Sequence, residues 1–97
     1  MKKPQQLELF PTVLDKAKEI IYGDREQTYG DPGKNFRCIA TMWTAYLTRR
    51  FDFDGTLIEK DICYLMNLLK VARLANDPEH RDSIVDGIGY LANAERV

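Results

Sequence analysis

A chain of 97 residues with 44% hydrophobic and 30% charged positions has the make-up of one small soluble domain. Its net charge of −1 gives no broad attraction to a nucleic-acid backbone or an anionic membrane, so neither is expected as a partner. No apolar run approaches the roughly 20 residues of a membrane helix, and Lys2-Lys3 is followed by no apolar signal core. Cys38 and Cys63 form no CxxC pair and have no histidine at metal spacing, so they read as reduced core thiols of a cytoplasmic protein.

Residues 1–11, bracketed by Pro4 and Pro11, show no helical period and are expected to form an extended arm. Residues 12–97 are expected to form the helical domain. Thr12 followed by Asp15 has the form of an N-terminal cap, and Val13, Leu14, Ala17, Ile20 and Ile21 make one apolar stripe over residues 12–22. Gly23 is placed to end this helix. Asp31-Pro32 then opens a second helix that runs to about Arg50, with Phe36, Ile39, Ala40, Trp43, Tyr46 and Leu47 expected inside. Thr56 with Glu59 is a capping box for a third helix over 57–75, whose expected core stripe is Ile58, Ile62, Leu65, Met66, Leu69 and Ala72. Asn76-Asp77-Pro78 breaks it. A fourth helix runs from about Asp82 to Glu95 with Ile84, Val85, Ile88, Leu91 and Ala92 inward. No strand-like alternation appears. The fold class is therefore all-α: a four-helix bundle-like single domain with an N-terminal extended arm. So short a chain with an aromatic-rich second helix is expected to form a homo-oligomer.

Two stretches concentrate polar chemistry. Between Gly23 and Gly30, the side chains of Asp24, Arg25, Glu26, Gln27, Thr28 and Tyr29 crowd a loop longer than a turn needs. Arg25 can fork onto a phosphate or carboxylate, and Tyr29 can stack on a base. On the last helix Asp82 and Asp86 are one turn apart, with Gly89 and Tyr90 near that face. Asn67, Lys70 and Arg73 make a polar stripe on the preceding helix. Antiparallel packing around the Pro78 turn brings Arg73 near Asp82 and sets Lys70 opposite Asp86. This arrangement has two readings: an ion-pair ladder that fixes helix register, or a site where carboxylates hold Mg²⁺ and cations take phosphate oxygens. Asp15 and Glu19 repeat the one-turn spacing on the first helix, where Lys16 and Lys18 also suit a solvated face. His80, the only histidine, supports no nucleophile triad and reads as a surface residue. No GxxxxGK[ST] motif is present, so conventional P-loop chemistry is excluded.

The segments Gly23-Asp24-Arg25…Thr28-Tyr29-Gly30…Pro32…Asn35-Phe36, Trp43…Tyr46-Leu47, Leu65-Met66…Leu69-Lys70…Ala72-Arg73 and Asp82-Ser83…Asp86…Gly89-Tyr90 resemble a family of small phage and prophage helical proteins, over about residues 13–97. More remotely, Asn67-Leu68-Leu69-Lys70…Arg73 followed by Asp86…Tyr90 looks like the helical segment of the T7-type phage nucleotide kinase. The carboxylate-bearing helices are also similar to MazG-like nucleotide pyrophosphohydrolases. Those enzymes hold magnesium with Glu-x-x-Glu and Glu-x-x-Asp pairs, whereas the pairs here, Asp15/Glu19 and Asp82/Asp86, are four apart. That difference bears more on hydrolysis than on nucleotide binding.

These resemblances imply a nucleotide-processing protein acting on a nucleoside phosphate with Mg²⁺, by phosphoryl transfer or pyrophosphate cleavage. Asp82, Asp86 and Glu19 would hold the metal. Lys70, Arg73 and Asp86 would carry catalysis, and Arg25, Thr28, Tyr29, Asn35, Lys70, Arg73 and Tyr90 would contact the ligand. The alternative is a non-catalytic protein that sequesters a nucleotide-derived immune signal, an anti-defence role. In the arm, Gln6-Leu7-Glu8-Leu9-Phe10 resembles the pentapeptide by which bacterial replication proteins bind the sliding clamp, implying an adaptor as a further alternative.

Overall fold

The computed structural model describes residues 12–22 and 31–97. The expected arm, the clamp-like pentapeptide and the loop residues Gly23 to Gly30, with Arg25, Thr28 and Tyr29, lie outside the described residues. Four α-helices follow in chain order: α1 (Val13–Tyr22), α2 (Pro32–Phe51), α3 (Glu59–Asn76) and α4 (Arg81–Arg96). Among the described residues there is no strand, so the domain is all-α. None of these helices is long and apolar enough to cross a membrane.

The caps explain where the helices start. At α1 the Thr12 hydroxyl accepts from the Asp15 amide at 3.1 Å, and Asp15 accepts in return from the Thr12 amide at 3.1 Å. Asp31 caps α2 by accepting from the Gly33 amide, with Pro32 in the first turn. Helix α2 ends at Asp52, which takes the left-handed conformation at φ 55° and returns its amide to the Leu47 and Thr48 carbonyls. Helix α3 starts later than the Thr56/Glu59 box predicts. The Leu57 amide donates to the Thr44 hydroxyl at 2.9 Å, which lays the connecting segment along α2 and keeps it extended. Ile58 is the residue that flanks the helix, and its amide donates to Asp61 at 2.9 Å. In the same connection the Phe53 ring lies over Gly55, where a Cβ would collide with it.

Helix α4 is the centre of the domain and packs on both α1 and α3, while α2 packs on α3. Its buried residues are small: Ser83, Val85, Gly87, Gly89 and Ala94. Small side chains let two neighbours approach one helix closely. A Cβ on Gly87 would lie 3.2 Å from the Asn67 amide nitrogen, and one on Gly89 would lie 3.9 Å from Ile21. Leu91, expected inside, is exposed. The main core joins Phe36, Ala40, Ile62, Cys63 and Ala94, flanked by Ile39, Leu57, Met66, Tyr90 and Val97.

Helix α3 keeps Ile62 and Met66 of the expected stripe inside but turns the rest of it outward. Ile62 and Cys63 are fully buried and Met66 is half-buried. The half-buried polar residues Asn67 and Lys70 face α4, as the opposition of Lys70 and Asp86 implies. Ile58, Leu65, Leu69 and Ala72, predicted as core, are exposed, and so are Tyr64, Leu68 and Val71. The second half of α2 shows the same pattern. Its stripe is buried at Phe36 and Ala40, but Trp43 and Tyr46 are exposed. Leu14 on α1 also points outward.

Candidate functional site

Three contacts set the antiparallel register of α3 against α4. Lys60 donates to the Ala94 carbonyl, Asn67 donates to the Gly87 carbonyl at 2.9 Å, and Lys70 Nζ lies 3.2 Å from Asp86 Oδ2. The first places a cation at the C-terminal end of α4, where its dipole favours positive charge. The last is the juxtaposition expected from the Pro78 turn. Only 15% of the Lys70 side chain and 18% of the Asp86 side chain remain exposed. The two groups neutralise each other at contact distance and leave no room between them for a ligand.

The other predicted groups do not gather around this pair. Arg73 and Asp82 are both exposed and form no ion pair with each other. Glu19 is exposed on α1 and pairs with Lys16 at 3.7 Å. Among the described residues no three His, Cys, Asp or Glu side chains converge, so Glu19, Asp82 and Asp86 do not assemble a three-carboxylate metal cradle within one chain. Tyr90 packs its ring against Phe36 at 6.2 Å between centroids. Asn35 is exposed in the first turns of α2.

His80 is not a simple surface residue. Its Nδ1 accepts from the Ser83 amide at 3.3 Å and lies 2.7 Å from the Ser83 hydroxyl, so it caps α4 and satisfies a serine that is 1% exposed. Asp82, in the first turn, is not the cap.

A cleft of about 210 Å³ lies at the opposite end of the α3/α4 pair from Arg73 and Asp82, at the head of α2. Asp31, Pro32 and Gly33 line it from the start of α2, Glu59 from the start of α3, and Arg96 and Val97 from the end of α4, with Arg37 beside them. Arg37 Nε donates to Glu59 Oε1 at 3.0 Å, and this bond holds the Glu59 carboxyl below its ordinary 4.5. The Arg96 guanidinium hydrogen-bonds Asn93 at 3.3 Å and lies 5.2 Å from the centre of the Tyr22 ring. The cleft is smaller than the roughly 300–1,000 Å³ of whole-ligand pockets, and suits one charged group rather than a complete nucleotide. Glu59 and Lys70 are separated by about 16 Å of helix rise, so the cleft and the Lys70–Asp86 pair are distinct places.

No sequence motif marks Arg37, Glu59 and Arg96 as one site. Glu59 was legible only as a cap. Arg96 follows from extending the antiparallel register that pairs Lys70 with Asp86, but Arg37 and Glu59 are 22 positions apart and carry no local signal.

Residues 12–97 match the family described as Domain of unknown function (DUF6378). The chain is 40% identical over 86 residues to the Gene 55 protein of Mycobacterium phage L5, and 35% identical over 86 residues to the Gene 55 protein of Mycobacterium phage D29. Each alignment covers 89% of this chain but only 52% and 53% of the respective relative, so the chain spans about half the length of the curated relatives it matches. No solved structure matches it. A family match over the whole helical domain, with two phage relatives at this identity, places the chain in the DUF6378 family.

Proposed function

We propose that this phage-family protein binds a nucleoside phosphate, with a phosphate group seated in the cleft at the head of α2. One observation carries the reading: Arg37 and Arg96, from separate helices, line a single cleft whose wall at Asp31 directly continues the polar Gly23–Gly30 stretch in the chain. Guanidinium groups bind phosphate through forked, charge-assisted hydrogen bonds. A cleft this small would take the charged group alone, and the base would fall to Tyr29, with Arg25, Thr28 and Asn35 as further proposed contacts. Glu59 and Asp31 oppose an anion there. The ligand must therefore draw Arg37 away from Glu59, and Arg37 is free to move because 71% of its side chain is exposed.

The test is a thermal-shift panel of nucleoside mono-, di- and triphosphates and inorganic phosphate, each with and without Mg²⁺. A ligand at a hundred times its dissociation constant stabilises the fold by about 2.7 kcal/mol, which raises Tm by roughly 10–20 °C for a domain of this size. A nucleotide-specific rise supports the reading. Unchanged melting with every compound at millimolar concentration overturns it.

A second reading, Mg²⁺-dependent turnover, draws on the accessible Asp82 and the residual exposure of Asp86. Magnesium is commonly held by one or two carboxylates together with substrate phosphates, so these two side chains fit it as partners of a phosphate rather than as a closed cage. Turnover there requires the Lys70–Asp86 pair to open, since the two side chains meet at 3.2 Å; Lys70, with Arg73, would then meet the phosphate charge. Chromatography of nucleotides after incubation separates the readings: new phosphorylated species or released pyrophosphate support turnover, and intact bound nucleotide supports sequestration.

A further inference from the structure

We infer that a second copy of this chain covers the outward apolar faces of α2 and α3, laying the exposed second half of its α2 across the outward face of α3 and receiving the same contact in return. Helix α3 directs Asn67 and Lys70 at α4 and turns Tyr64, Leu65, Leu68, Leu69 and Val71 to the outside. A helix of a self-sufficient domain places its polar face outward, not its apolar one. Helix α2 carries a stripe that is covered at Phe36 and Ala40, half-buried at Leu47 and open at Trp43 and Tyr46, with Met42 exposed beside it. The second half of α2 therefore extends past the part of α3 that covers the first half.

One chain thus presents two uncovered apolar surfaces. One is aromatic-rich and one leucine-rich. A two-fold contact pairs unlike patches reciprocally, the first of each copy with the second of the other, and closes without leaving either bare. The area fits as well. Counting about 150–250 Å² for each aromatic and somewhat less for each aliphatic side chain, the bare fractions come to on the order of 700 Å². A stable two-body interface takes about 800 Å² from each partner, close to what the two surfaces supply together. Trp43 and Tyr46 are the residue types that anchor such contacts. This inference stands whether or not the chain binds a nucleotide.

Sedimentation velocity at micromolar concentration tests it. The expected mass is twice 11.2 kDa. Tyr46→Asp and Leu68→Asp, each at a position 60% exposed in the single chain, are expected to give folded monomers with unchanged helical circular dichroism. Reciprocity has its own test in a Cys38→Ser background. A tagged Tyr46→Cys chain mixed with an untagged Leu68→Cys chain is expected to give a tagged–untagged disulfide on oxidation, in excess of either chain linked to itself. A wild-type monomer overturns the inference, as does a dimer that survives both aspartate variants. A chain that dimerises only after deletion of residues 1–11 also overturns it, and assigns the face to the chain's own arm.

Discussion

Lys70 and Asp86 meet at 3.2 Å across the α3/α4 interface, and one turn away Asn67 holds the Gly87 carbonyl at 2.9 Å. The pair lies between the exposed and the buried regimes. Exposed pairs contribute about 0–1 kcal/mol, whereas removing one partner of a fully buried pair costs about 3–5 kcal/mol. Lys70→Met is therefore expected to lower stability by about 1–3 kcal/mol in urea denaturation. The double variant Lys70→Met/Asp86→Leu should recover most of that loss, because no unpaired charge is left. A double variant as unstable as the sum of the singles would show that the pair is not coupled.

Gly87 and Gly89 are both buried on α4, yet their surroundings differ. A Cβ at Gly87 would press on the Asn67 amide at 3.2 Å, the group that donates to the carbonyl of the same glycine. At Gly89 the nearest atom is Ile21 at 3.9 Å, an ordinary contact. Alanine gains up to about 1 kcal/mol over glycine inside a helix. Gly89→Ala is expected to be neutral or stabilising by up to about 1 kcal/mol. Gly87→Ala should cost about 1 kcal/mol net through the displaced hydrogen bond. Thermal melts of the two variants, moving in opposite directions, check the assignment of Gly87 as the point of close approach.

The two thiols are expected to react differently. Cys38 is exposed, and Cys63 is fully buried, its thiol raised above the ordinary 9.0 by loss of solvation. A disulfide reagent should modify Cys38 rapidly in the native protein, and Cys63 only after unfolding. Because the folded protein disfavours the Cys63 thiolate, the sign for stability is a loss as pH rises past 9.0, where the unfolded thiol ionises first. Equal reaction rates at the two sites would contradict the burial of Cys63.

Glu59 gives the opposite slope. Its bond to Arg37 lowers its carboxyl below 4.5, so any stabilisation from the pair is present above that pH and disappears as pH falls through the lowered value. In an NMR titration, Arg37→Gln is expected to return Glu59 toward 4.5. An unmoved titration would mean that the two side chains do not meet in solution.

Helix positions were legible because their starts are chemical. Thr12 with Asp15, and Asp31 with Pro32, cap α1 and α2 as their sequence implies. Helix α3 starts at Glu59 although Thr56 also suits a cap. Only the tertiary bond from Leu57 to Thr44 decides against it. His80 is not legible as a cap because histidine is not among the usual cap residues, yet its Nδ1 accepts from the Ser83 amide three residues on. The outward turn of Leu65, Leu69 and Ala72 on α3 has a different cause. Periodicity identifies an apolar stripe but not what covers it, and Asn67 and Lys70 turn inward because glycines on α4 give them room and partners. For the site, the facing of Lys70 and Asp86 followed from spacing alone. The cleft did not, because it joins the starts of two helices to the end of a third.

The measurement that bears most directly on the ligand reading is calorimetric titration of wild type and Arg37→Ala with the nucleotide that scores highest in the panel. Wild type is expected to show saturable one-to-one binding. A hydrogen bond to a charged group is worth about 1.5–3 kcal/mol, so the variant should bind roughly 10- to 100-fold more weakly while melting normally. No heat of binding from wild type, or equal affinity in the variant, would contradict it.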